Sequence, residues 1–299
     1  MKAAVLREVG GPLRIEDVQI AKPSPREVLI RTVATGVCHS DLHFVEGAFK
    51  TPMPVVLGHE SAGVVEAVGE DVRNLAPGDH VVTCISAYCG HCDYCVGGRL
   101  NLCDSPETSR GADEPARLSL GGQPMPSFLN ISPFAEQILT HENAVAKIRA
   151  DMPLDRAALL GCAVITGYGA VTRTAGVRPG ETVAVIGCGG VGLSAINAAV
   201  LAGAARIIAI DRVPQKEALA RQFGATAFIC ADQESPVKQV QAMTGGGVHH
   251  AFEAIGLAVA AEQAFDMLRR GGTATVVGMI APGQRVQLKG ASFLQEKRI

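Results

Sequence analysis

The 299-residue chain has no tryptophan and only three tyrosines, and aromatic residues of all kinds make up 4% of it. Its interior must therefore be packed with aliphatic side chains, and together with 34 glycines this composition fits a turn-rich α/β protein. An excess of charge of either sign is missing too, since 27 basic residues stand against 29 acidic ones. No basic stripe offers itself to nucleic acid, and no Lys/Arg-rich amphipathic run to a membrane surface. No apolar run reaches the length that spans a bilayer. The opening residues Met1 to Glu8 lack the apolar centre of a secretory signal, which predicts a cytoplasmic protein. At this length the chain is expected to form two domains, each able to bury a core.

Cysteine is not scarce. There are nine, an odd number, and Cys89, Cys92, Cys95 and Cys103 crowd into one short stretch of a chain without an export signal, which favours metal over disulfides. Four thiolates at this spacing can close a tetrahedron around one zinc with no help from distant chain, and a site so saturated does no catalysis. Unliganded thiols at such density would oxidise; an iron–sulfur cluster would use the same ligand set. Cys84, Cys188 and Cys230 have no partner pattern and read as packing residues.

A second group of donors lies in Cys38-His39-Ser40-Asp41-Leu42-His43 and Gly58-His59-Glu60. A catalytic zinc takes three protein ligands and keeps one position open. Cys38 and His59 supply two, and Cys162, in Leu160-Gly161-Cys162-Ala163, is the candidate for the third. Taken singly, each cysteine reads more simply as a small buried hydrophobe and the histidine as a satisfied core residue. Occurring together with the other motifs, they point to one shared zinc, at a domain boundary where a substrate cleft normally lies.

From the start to about residue 150 the pattern is one of short strands and tight turns. Glu27 to Val33, Ser61 to Val68 and His80 to Thr83 read as strands of a partly open barrel or sandwich. Residues 104–126 are polar and rich in Gly and Pro and read as a surface loop. Residues 134–145 resume strand-like patterning, and 151–160 read as a helix with Asp151 as a possible cap. From Glu181 the period changes. Thr182 to Gly187 is an apolar strand, and Gly187-Cys188-Gly189-Gly190-Val191-Gly192 opens a helix. A second strand, from Arg206, then ends in Asp211. Glycines let the backbone approach a pyrophosphate at the helix N-terminus, and the carboxylate suits ribose hydroxyls. An acid at 211 repels a 2′-phosphate and so favours NAD over NADP, although Arg212 adjoins it. Further alternation gives a parallel doubly wound sheet of five strands.

These features together resemble the zinc-dependent medium-chain alcohol dehydrogenases over essentially the whole chain. The resemblance implies an N-terminal GroES-like catalytic domain (1–165), a Rossmann NAD-binding domain (166–299) and two zinc ions per chain. It implies Cys38, His59 and Cys162 as catalytic zinc ligands, Glu60 as an alternative ligand, Asp41 as the carboxylate orienting His59, and Ser40 and His43 as a proton relay. For the cofactor it implies His39 against the pyrophosphate, Thr166 and Val191 beside the nicotinamide, and Lys216 near the adenosine ribose. Phe49, Ile85, Phe128 and Leu129 would line an apolar pocket suited to a hydrophobic or aromatic primary alcohol, ordinary core packing being the other reading of each. The implied reaction is oxidation of the alcohol to an aldehyde. S-(hydroxymethyl)glutathione is an alternative substrate, and a catalytically silent NAD- and zinc-binding protein is the reading from another class. Family members run on for several tens of residues, adding a sixth strand; the expectation is that this chain is truncated, with the fifth strand left at an open edge and the family's homodimer or homotetramer in doubt.

Overall fold

The structure is a computed structural model that describes residues 1–111 and 113–299. The chain divides into two compact units, Met1–Cys162 and Ala163–Ile299.

The first unit runs through β1 (Lys2–Leu6), β2 (Arg14–Asp17), β3 (Gln19–Ile20), β4 (Glu27–Thr35), α1 (His39–Val45), β5 (Val55–Val56), β6 (Ser61–Val68) and β7 (His80–Thr83). It continues with α2 (Asp93–Val96), β8 (Leu118–Leu120), β9 (Gln123–Met125), β10 (Gln137–His141), β11 (Val145–Lys147) and α3 (Leu154–Ala157). An antiparallel five-stranded sheet, ordered β10-β4-β6-β7-β11, forms its centre, with three-stranded sheets β2-β1-β5 and β3-β8-β9 beside it. β4 faces β10 with Ile30 opposite Ile138 and β6 with Ile30 opposite Val65, so that their side chains meet Val28, Val81 and Ile131 in one buried cluster. Cross-strand pairs of this kind fix the register, because a slip of one residue would turn the apolar set outward.

Two expectations for this half are corrected. Residues 104–126 are not a plain loop: β8 and β9 form a hairpin there, turned by Gly121 and Gly122 at φ +58° and +80°. The helix expected over 151–160 begins at Leu154, behind Pro153, and tightens into a 3₁₀ turn over Ala158–Gly161. Asp151 does not cap it; its carboxylate accepts from Arg149 Nε at 2.9 Å.

The second unit alternates: α4 (Ala163–Gly169), β12 (Thr182–Ile186), α5 (Gly190–Leu201), β13 (Arg206–Asp211), α6 (Lys216–Gln222), β14 (Ala227–Cys230), α7 (Pro236–Thr244), β15 (Val248–Glu253), α8 (Ala258–Asp266) and β16 (Leu268–Val276). The sheet is parallel throughout, ordered β14-β13-β12-β15-β16. Because both faces are covered, its central strands are apolar runs rather than alternating ones. Val183, Val185, Ile207 and Ala209 enter one core with α5, and Ala184, Ile186, Ile208 and Ile210 enter the other. The outer edge of β16 is not left wholly open, since Arg298 N donates to Gly272 O and its carbonyl accepts from Ala274 N, each at 2.9 Å. No single helix among the described residues is long and apolar enough to cross a membrane.

Candidate active site

Cys38, His59, Glu60 and Cys162 bring their donor atoms within 4.8 Å of one another in the first unit. Each reaches this point by a local device. Cys38 precedes α1 in extended backbone, at φ −106° and ψ 150°. Gly58, at φ +94°, turns the chain into His59 and Glu60 just before β6; a side chain at this glycine would collide with the Phe134 ring. Cys162 ends the 3₁₀ turn, which lies against β6 and β7 because Gly161 has no Cβ; one would sit 2.6 Å from Thr83 O. Gly36 is needed likewise, as a Cβ there would meet the Glu60 carboxyl carbon at 2.5 Å. Neither Gly36 nor Gly161 stands out in the sequence, since nothing local shows what will pack against it.

Asp41 ties these segments together. Its Oδ1 accepts from His59 Nδ1 at 2.9 Å and from Gly58 N at 3.2 Å, while Oδ2 accepts from Cys38 N at 3.1 Å. Both His59 and Asp41 are 3% exposed. The bond commits Nδ1 and leaves Nε2 for a metal, the arrangement that metal-binding histidines require.

Charge is already separated in this cluster. A hydrogen bond from Cys162 is the main reason that the Cys38 thiol falls to about 3, against the burial that opposes it and with help from His59. Burial disfavours the His59 cation, but the Asp41 carboxylate and the Cys38 thiolate outweigh it and raise the ring to about 10. The set fits zinc, whose sulfur ligands at ~2.3 Å in a tetrahedron lie ~3.8 Å apart and whose charge replaces the proton.

The second cluster is Cys89, Cys92, Cys95 and Cys103. Sulfur–sulfur distances of 3.9 Å (89 to 95), 3.5 Å (92 to 95) and 3.9 Å (92 to 103) match that tetrahedral edge. Cys89 N donates to Cys103 Sγ at 3.3 Å and Cys92 N to Cys89 Sγ at 3.4 Å. The backbone N–H of His91 leads in lowering Cys89 to about 6, whereas burial pushes Cys95 up to about 12. All nine cysteines are free of disulfides.

Around the first cluster, Ser40 Oγ lies 3.6 Å from Cys38 Sγ. The His39 and His43 rings meet edge-on at 4.9 Å, and His43 lies 5.7 Å from Phe49. Ile85 and Leu129 are exposed, at 43% and 41%. Phe128 differs from its neighbour: it is 5% exposed and packs edge-on against Phe44 in a core with Leu6, Val55 and Leu57.

In the second unit, Gly187 turns at φ +97° after β12, and Gly192 brings α5 onto that turn; a Cβ at Gly192 would sit 1.7 Å from Gly187 O. Gly167 lets α4 close on α5 in the same way, with Val191 O 2.5 Å from where its Cβ would be, so Thr166 and Val191 lie on adjoining helices. Gly189 precedes the first turn of α5, which starts at Gly190. Asp211 accepts from Cys188 N at 2.8 Å, Val213 N at 3.0 Å and Lys216 Nζ at 2.9 Å. Burial opposes its charge, but the Lys216 ammonium and these N–H groups hold its carboxyl below the usual range. Arg212 is engaged elsewhere, with Nε donating to Asp232 at 2.8 Å. Cys188 is a packing residue, 2% exposed, with its thiol pushed up to about 12 chiefly by burial.

Residues 24–150 match the model of the alcohol dehydrogenase GroES-like domain, and residues 190–299 that of zinc-binding dehydrogenases. An alcohol dehydrogenase class-3 of Pisum sativum is 42% identical over 299 residues, covering 96% of this chain and 79% of the relative. Among solved structures, an alcohol dehydrogenase zinc-binding domain protein from Burkholderia ambifaria superimposes with a TM-score of 0.94 at 41% identity, covering all of this chain and 82% of that one. Benzyl alcohol dehydrogenase from Acinetobacter calcoaceticus gives a TM-score of 0.93 at 35% identity, with the same coverage. A protein of Sinorhizobium meliloti 1021 described as a zinc-binding dehydrogenase, bound to NADP, gives 0.82 at 30%, covering 99% of this chain and 82% of that one. With both halves matched and two fifths of its residues shared with the pea relative, the chain belongs to the zinc-dependent medium-chain alcohol dehydrogenase family, enzymes that work with zinc and a nicotinamide cofactor.

Proposed function

We propose that the protein oxidises a primary alcohol, hydrophobic or aromatic, to its aldehyde with NAD as acceptor. The observation that carries this reading is the approach of Cys38, His59 and Cys162 within 4.8 Å, with Asp41 behind the imidazole. These three would hold the catalytic zinc, with Glu60 as a fourth donor when the ion shifts, and Cys89, Cys92, Cys95 and Cys103 would hold a second, closed one. When bound, zinc at its open position lowers the pKa of an alcohol hydroxyl, and the nicotinamide accepts the hydride.

The chain's own residues do the rest. Ser40 Oγ, 3.6 Å from Cys38 Sγ, would accept the hydroxyl proton as it gives up its own, and His43, half-buried between His39 and Phe49, would carry a proton outward. The N–H groups opening α5 would favour a pyrophosphate. Thr166 and Val191 flank the nicotinamide, and Lys216 adjoins the adenosine ribose. Asp211, held ionised, would accept from ribose hydroxyls and repel a 2′-phosphate. This supports NAD over NADP. The apolar character of Phe49, Ile85 and Leu129 supports a hydrophobic alcohol.

NADH formation with benzyl alcohol, hexanol and S-(hydroxymethyl)glutathione tests the reading. Turnover of the first two, lost in Cys38→Ser while NAD binding persists, is the expected result. Turnover of the thiol adduct alone would reassign the substrate, and unchanged turnover in Cys38→Ser would remove zinc from the reaction.

A further inference from the structure

A cleft of about 410 Å³ opens in the second unit at the amino-terminal ends of β12, β15 and β16. It lies at the opposite end of the sheet from the glycine-rich turn, roughly 15 Å away along β12 at ~3.3 Å per residue. Arg178, Arg269, Arg270 and Arg298 line it together with His249 and His250. The one carboxylate in the lining is Glu181, already engaged by Arg178 N at 2.8 Å and by His250 Nε2 at 2.9 Å. Among the described residues none of the four guanidinium groups has a carboxylate partner. Four arginines thus line one cleft of a protein whose net charge is −2.

The histidine at the centre of the cleft sharpens the point. His249 Nδ1 meets Thr182 Oγ1 at 2.9 Å and Thr182 N at 3.1 Å, which holds the ring in place in the cleft lining. Burial, and then Arg269, lower the pKa of His249, which keeps the ring neutral. Arg269 Nη1 donates to Nε2 at 2.8 Å, which holds one guanidinium beside the cleft. The remaining N–H groups of that guanidinium fork suit phosphate oxygens. Behind it, His250 Nδ1 is buried without a hydrogen-bond partner.

We propose that this cleft binds a small molecule bearing two or more linked phosphates, separately from the cofactor site. A lone phosphate would occupy a minor part of the volume and reach only some of the arginines.

Calorimetric titration of pyrophosphate into the full chain, saturated with NADH and at 0.1 M salt, tests the proposal. One equivalent should bind, more tightly than inorganic phosphate. The double variant Arg269→Ala/Arg298→Ala should weaken it tenfold or more, the usual scale for charged hydrogen bonds, while NADH affinity stays unchanged. Addition of pyrophosphate should also shift the carbon-bound ring proton resonances of His249 in the parent and not in the variant. No saturable binding, equal affinity for phosphate and pyrophosphate, or unaltered binding in the double variant would overturn it. Activity enters none of these readouts, so the proposal stands or falls independently of the substrate assignment.

Discussion

Replacing Asp41 by asparagine isolates the contribution of one buried charge to the metal centre. The two side chains have nearly the same shape, but the carboxylate accepts three hydrogen bonds, from His59 Nδ1, Gly58 N and Cys38 N. An asparagine that keeps its oxygen toward His59 and Gly58 turns its amide protons toward Cys38 N. A bond to a charged acceptor contributes about 1.5–3 kcal/mol and a neutral one about 0.5–1.5, so the His59 contact alone loses roughly 1–1.5 kcal/mol. At 1.36 kcal/mol per decade this is about a tenfold loss in zinc retention. The opposed N–H groups at Cys38 displace a second ligand segment and move the expected loss toward the hundredfold end of the range known for such carboxylates. The assay is the rate of zinc release to excess chelator, with urea unfolding as a check on the fold. Release rate is preferred to affinity because Asp41 also steadies the proton on metal-free His59, which weakens zinc capture in the opposite sense. A variant that released zinc within twofold of the parent rate would refute the positioning role.

Cys103→Ser should lower the zinc content by one ion per chain and the thermal midpoint by several degrees, measured by elemental analysis and calorimetry; retention of both ions would contradict the four-sulfur site. Gly192→Ala should destabilise the second unit by more than 2 kcal/mol in urea unfolding and impair NADH binding, because its methyl group would meet Gly187 O; a neutral substitution would refute the close approach. Glu27 makes acid stability testable. It is 3% exposed and pairs with Arg110 and with Arg117, the latter at 2.6 Å; burial opposes its ionisation, but the two arginines and Ser24 N hold its carboxyl below the ordinary value of 4.5. Its folded pKa is depressed, so its contribution is complete above that value and is lost as pH falls through the lower one. Glu27→Gln should cost about 3–5 kcal/mol near neutral pH by stranding buried arginines, and should flatten the decline of the melting temperature in acid. An unchanged decline would assign it to other groups.

What could be read from the sequence was chemistry with a short period. The cysteines at 89, 92, 95 and 103 declare themselves by spacing, and the glycine-rich turn by its place between an apolar strand and an apolar helix. What could not be read depends on partners far along the chain. Glu27 meets Arg110 and Arg117 more than eighty residues away, and Gly161 is required only because Thr83 O passes beside it. The β8–β9 hairpin hid in a stretch that is Gly- and Pro-rich throughout, although Gly121-Gly122 is a recognised hairpin turn. Asp151 resembled a cap by position, but Pro153 set the helix start and left the carboxylate to Arg149.

By fastening the start of α1 to the turn before β6, Asp41 holds two ligand-bearing segments in place through groups of the protein alone. The cradle therefore stands ready before any ion arrives. Capture requires little rearrangement of the backbone, and the ordering entropy that a floppy site would lose at that moment has been met during folding. A polypeptide that had been stripped of its metal should accordingly regain it without refolding, at a rate set by loss of the proton from His59.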